Sequence, residues 1–102
     1  MVVKRTGWDG YEYEVDTELV QDVQEFEGEC ANEYKTRWEY VESGAFEKDY
    51  FAAWLEGCSD YPTMDEIIEQ AQFIQKMIDN WHLAEEFGLI NAEDGWRGIR
   101  YE

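Results

Sequence analysis

Leu19, Val20, Val23, Phe26, Cys30, Tyr34, Trp38 and Val41 follow one another mostly at spacings of three and four. That recurrence puts them on one side of a helix. It predicts a long first helix over about 17–42, capped by Asp16 or Thr17. Gly28 sits in its middle and disfavours a helix by about 1 kcal/mol relative to Ala, so it marks a kink or the close approach of another segment. Ser43-Gly44 ends this helix and caps the next. Phe46, Tyr50, Phe51, Trp54 and Leu55 define a second helix over 45–56. The loop 57–62 holds the single proline, Pro62. Thr63 and Glu66 then form a T-x-x-E capping box before a third helix over 63–87, which presents Ile67, Ile68, Ala71, Ile74, Ile78 and Trp81.

The first residues have a different period. Tyr11, Tyr13 and Val15 alternate with Glu12, Glu14 and Asp16, the pattern of a half-buried strand. Val2-Val3 supplies a second short strand, with Gly7-Trp8-Asp9-Gly10 as the turn. The tail Gly95-Trp96-Arg97-Gly98-Ile99-Arg100-Tyr101-Glu102 repeats Gly7-Trp8-Asp9-Gly10-Tyr11-Glu12-Tyr13-Glu14, both reading G-W-x-G-x-x-Y-E. One reading is coincidence in a chain rich in these residue types. A second is that the two ends lie side by side, Arg97 and Arg100 facing Asp9 and Glu12 across strands, and a third is a separate ligand-binding role for the pattern. The expected fold class is mainly α, within α+β: a three-helix core and a small β-hairpin or sheet formed by the N- and C-terminal segments. The length supports a single acidic globular domain over 1–102.

Charge decides what such a domain can meet. It has 25 Asp and Glu against 8 Lys and Arg, a net charge of −17 on 102 residues. An acidic chain poor in apolar residues would stay unfolded. Here 44% of residues are hydrophobic and 17% aromatic, enough for a core that displays the charge on its outside. On a compact body about 33 Å across, the net charge amounts to about one per 1.9 Å, against about one per 1.7 Å of duplex DNA axis. DNA, RNA and anionic membranes are thereby disfavoured as direct partners, and basic protein surfaces are favoured.

The residues that usually carry chemistry are sparse. His82 is the single histidine, Cys30 and Cys58 are far apart in sequence, and no phosphate-binding, dinucleotide-binding, zinc or calcium-loop motif occurs. The cysteines read as reduced thiols, Cys30 on an apolar helix face. Neither an apolar span of membrane length nor a signal peptide is found, so a cytoplasmic location is expected. No enzymatic role, cofactor or metal is expected either.

The pattern with most to say about function is Glu18, Asp22, Glu25, Glu29 and Glu33, at intervals of four, three, four and four. On one helix they fall within a sector of about 80° over about 22 Å, well away from the apolar face. Neighbours such as Glu18 with Asp22, and Glu25 with Glu29, repel each other by a few tenths of a kcal/mol, where solvated helices usually mix signs. Glu12, Glu14, Asp49, Glu56, Asp60, Asp65, Glu66 and Glu69 supply further rows. A plain solvated face and a halophile-type acidic coat are the alternatives to a binding role.

No motif assigns the chain to a family. In charge and size it is similar to phage-encoded DNA-mimic inhibitors such as antirestriction and anti-CRISPR proteins. That resemblance implies an inhibitor acting in the host cytoplasm, bound to a basic nucleic-acid-binding protein such as a nuclease or CRISPR effector. It carries over no individual residue. An immunity protein or antitoxin masking a basic nuclease toxin shares the same electrostatics, and an acidic structural or assembly adaptor is a third reading.

Overall fold

In the computed structural model, residues 1–90 are described. Strands β1 (Val2–Thr6) and β2 (Glu12–Asp16) pair antiparallel, with Val3 opposite Val15 and Arg5 opposite Tyr13. These four residues form the inner face of the hairpin, as the period-two pattern requires. The turn closes through Gly7 N donating to the Tyr11 carbonyl (2.8 Å). Gly10, at φ +84°, makes the left-handed step that returns the chain. Asp9 fixes the turn from within, accepting from Tyr11 N (3.0 Å) and from the Tyr13 hydroxyl (2.6 Å). The second copy of the G-W-x-G-x-x-Y-E pattern, over 95–102, lies outside the described residues.

The rest of the described chain is mainly helical, as the apolar spacing predicts, in four helices: α1 (Thr17–Glu25), α2 (Arg37–Glu42), α3 (Ala45–Glu56) and α4 (Met64–Glu86). Asp16 caps α1 by accepting from Glu18 N, and Thr36 caps α2 by accepting from Glu39 N. Thr63 caps α4 by accepting from Glu66 N (3.2 Å). The return leg of that capping box goes to the Thr63 hydroxyl, 3.2 Å from Glu66 Oε1.

The core lies between α1, the hairpin and the second half of α4. Val15, Val20, Val23, Tyr40, Phe46, Ile74, Met77, Trp81 and Ala84 are buried in it. Gln24 and Trp81 join α1 to α4 by a buried hydrogen bond, the indole N–H donating to Gln24 Oε1 (2.7 Å). Asp16 N donates to Asn80 Oδ1 (2.8 Å), which ties β2 to α4.

Two expectations are corrected. The helix predicted over 17–42 is interrupted: α1 ends at Glu25, the backbone of Phe26 is extended, and residues 26–36, with a 3-10 turn at Ala31–Glu33, lead to α2. Phe26 turns its ring onto Phe46 (5.6 Å, edge to face) and Tyr50 (5.0 Å). Arg37, itself buried, donates from Nη1 to the Phe26 carbonyl that the broken helix releases. Cys30 consequently sits in a turn and not on a helix face, its N–H donating to Asp49 Oδ2 (2.9 Å). The same carboxylate oxygen accepts from the buried Tyr40 hydroxyl (2.8 Å). Both readings of Gly28 are therefore realised, a break in the helix and a close approach. A Cβ there would lie 2.5 Å from Asp49 Oδ2 and 2.6 Å from the Tyr40 hydroxyl.

The second correction concerns α4. Its buried residues begin at Ile74; Ile68 and Ala71 are exposed and Ile67 is half-buried. The first half of α4 extends beyond the core, because α1 is too short to cover it.

Gly28→Ala should lower stability by about 1–3 kcal/mol, the usual cost of forcing extra volume into a packed site. Asp49→Ala should cost about 1–3 kcal/mol by leaving the Cys30 N–H and the Tyr40 hydroxyl without their acceptor. Because both act on one cluster, the double variant should lose less than the sum. Urea unfolding of the three proteins reads this; an unchanged midpoint for Gly28→Ala would mean that the close approach is not tight.

Candidate partner-binding surface

Among the described residues nearly every carboxylate faces solvent; Asp49 is buried and Asp16 half-buried. Asp49, read from sequence as part of an acidic row, is thus withdrawn from the surface by its two hydrogen bonds. Glu12 and Glu14 flank Lys4 (3.8 and 3.9 Å), and Glu42 lies against His82 Nε2. Such exposed pairs leave the surrounding field strongly negative.

The five acids of the sequence pattern are all exposed, yet they do not form one helical row. Glu18, Asp22 and Glu25 share a face of α1, separated by about 10 Å of helix axis from first to last. Glu29 belongs to the turn after α1, and Glu33 to the 3-10 turn. The N-terminal amine is 3.7 Å from Glu18, and Gln21 Nε2 donates to Glu25 (2.8 Å). The carboxyl of Asp22 is raised above its ordinary 3.8, first by partial burial and then by the charges of Glu25, Glu18 and Asp16. Like charges are therefore crowded where α1 ends. Its last turn carries no basic residue, and the negative end of the helix dipole adds to the same field.

A groove opens beside that last turn. Its volume is about 600 Å³, and Asp22, Glu25, Phe26, Tyr50, Trp54 and Phe73 are among its lining residues. A second cavity of about 390 Å³ adjoins it, sharing Trp54, Gln70 and Phe73 and adding Glu66 and Glu69. The result is an aromatic trough between the end of α3 and the start of α4, with a pair of carboxylates on each side. Among the described residues, no Lys or Arg lines either part. Tyr50, which lines the groove with Asp22, has its phenol pushed up by burial and then by the Asp22 charge. The apolar spacing placed Tyr50 and Trp54 on one helix without separating core aromatics from exposed ones. Their i,i+4 spacing on α3, together with Phe26 four positions after Asp22, was the available signal.

The remaining reactive groups are structurally engaged. Cys30 and Cys58 are free thiols. Burial, then Asp49 and Glu33, pushes the Cys30 thiol up and away from the thiolate form. His82 packs beside Trp38 and Trp81. Among the described residues no cluster of His, Cys, Asp and Glu is arranged to hold a metal, and no helix is long and apolar enough to cross a membrane. No family model, curated protein or solved structure matches the chain.

Because folding raises the Asp22 carboxyl, the folded protein holds that proton more tightly than the unfolded chain. Ionisation of Asp22 then opposes folding as pH rises through the window above 3.8. Asp22→Asn should be more stable than the parent at neutral pH by about 0.2–0.5 kcal/mol, the scale of a relieved like-charge pair. The gain should vanish below the unfolded carboxyl value. Denaturant midpoints of both proteins across this range check the sign; a variant less stable at neutral pH would contradict it.

Proposed function

We propose that this protein is an inhibitor that occupies the nucleic-acid-binding cleft of a basic host protein and excludes DNA or RNA from it. The observation that carries this reading is the outward display of almost all described carboxylates on a folded body of net charge −17. Opposite charge steers such a body to a basic cleft and raises the encounter rate. Once docked, carboxylates take the positions of phosphates and accept charge-assisted hydrogen bonds from Arg and Lys. The crowded face of Glu18, Asp22 and Glu25 supports this role. There the chain accepts repulsion that a purely solvating surface would dilute with lysines.

The aromatic trough supports a second reading, an immunity protein or antitoxin that masks one basic nuclease toxin. Aromatic anchors in a pocket give the tight, cognate binding that such a partner demands, whereas phosphate mimicry alone tolerates many basic clefts.

The test is competition. The partner is captured from host lysate, and its DNA binding is titrated with the parent protein and with a variant carrying Gln at Glu18, Asp22, Glu25, Glu29 and Glu33. The parent should displace DNA, with a potency that falls as salt rises. Each carboxylate lost should weaken inhibition by up to about fivefold if it sits at the rim, cumulatively along the set. Equal inhibition by the Gln variant would reject these five residues as the mimic. A partner that holds DNA and inhibitor together would reject exclusion itself.

A further inference from the structure

The trough has a composition that neither bulk acidity nor core packing requires. Trp54 is half-buried and Phe73 remains 39% exposed, although both are large and apolar. Burying either ring further would be favourable by about 25 cal/mol per Å², and yet α1 stops short of them. The last turns of two helices, α1 through Asp22 and Glu25 and α3 through Ala53 and Trp54, meet at this place. Helix C-termini carry partial negative charge and favour a cation. Neither last turn contains a basic residue to neutralise it.

From this geometry we infer that the trough is a docking pocket for an arginine side chain presented by a basic protein partner. The guanidinium stacks on the Trp54 and Tyr50 rings, and its N–H fork is accepted by Asp22 and Glu25. The argument for the occupant is charge complementarity joined to the aromatic lining of the trough. A neutral apolar segment would desolvate two carboxylates while offering them no donor of its own, at a real cost. Lysine supplies the charge but not the plane, since its compact, strongly hydrated ammonium stacks less well on aromatic faces. Arginine supplies both. The cavity of about 600 Å³ lies within the range of roughly 300–1,000 Å³ found for small-ligand sites. This inference deepens the proposed function, since it names the partner group that one part of the acidic surface receives, and it rests on a basic protein partner as that reading does.

The probe is a short blocked peptide with a single arginine between glycines, compared with the same peptide carrying lysine or citrulline. Binding to the intact protein is followed by NMR. The arginine peptide should give saturable shifts at the Trp54 indole N–H and at the Ala53 and Gln70 amides. The lysine peptide should bind about threefold more weakly or worse, and the uncharged citrulline peptide should leave these signals in place. Asp22→Asn combined with Glu25→Gln should weaken the arginine peptide by about three- to tenfold. Phe73→Ala should weaken it without altering the core. Glu85→Gln combined with Glu86→Gln removes the same charge elsewhere on the surface and should leave binding within about twofold of the parent. Equal binding of citrulline, equal loss in the Glu85/Glu86 variant, or shifts spread evenly over the acidic surface would overturn the pocket. Those results would leave exclusion of nucleic acid standing, because competition reads it separately. Peptide binding at the trough with no displacement of DNA from a captured partner would reject the inhibitor reading and keep the pocket.

Discussion

At the junction of α1, α2 and α3, a buried carboxylate takes the place of several turns of helix. Asp49 accepts from the Cys30 N–H and from the Tyr40 hydroxyl, and it fits there because Gly28 has no side chain. A buried carboxylate is costly unless it is hydrogen-bonded, and here two donors converge on its Oδ2. The Arg37 guanidinium, lowered by burial to about 10 and so still charged at neutral pH, holds the freed Phe26 carbonyl nearby. Burial and the bond to Asp49 push the Tyr40 phenol up, keeping its proton on the donor side. Continuing α1 would cost these contacts. The break is thus held by polar groups, and the packing of Phe26 on Phe46 and Tyr50 follows from it.

The acidic surface depends on the same junction. With α1 ending at Glu25, its acidic face is short, and the following acids leave the helix axis on a turn and a 3-10 segment. The rings of Tyr50, Trp54 and Phe73 are left uncovered next to Asp22 and Glu25. A continuous helix would have offered an even strip of charge; the broken one concentrates charge beside aromatic surface. Net self-repulsion lowers the stability of any such body. The compensation lies on the opposite flank, where Gln24 and Trp81 are paired in a core packed from both helices.

Much of this was legible in the residues. The hairpin could be read from period-two alternation and G-W-D-G, and α3 and α4 from apolar spacing and T-x-x-E. These are local signals, and local geometry satisfies them. The break in the first predicted helix was not legible from periodicity, because Phe26, Cys30, Tyr34 and Trp38 are still partly buried after the chain leaves the helix. Spacing reports which residues seek the core but not the path by which they reach it. Gly28 was the local trace of that path; its partner Asp49 was indistinguishable from two dozen other acids. The exposure of Glu18, Asp22, Glu25, Glu29 and Glu33 was readable, since charge without a partner stays in water. Their separation onto different elements was not, since it follows from the same break.

In the proposed complex, the spread charge and the trough would act on different steps. A field from many exposed carboxylates acts at distance, is screened over about 8–10 Å at ordinary salt, and mainly sets how fast partners meet. A pocket that stacks and desolvates one guanidinium acts only on contact, and sets how slowly they part. Charge alone would make the protein attractive to every basic surface in a cell, including those that handle nucleic acid without being its target. A single pocket would add selectivity because a cleft lacking an arginine at the right place would desolvate Asp22 and Glu25 without offering them a donor. In that reading, breaking one helix next to an acidic face would set a point of recognition within the long-range field of a chain of net charge −17.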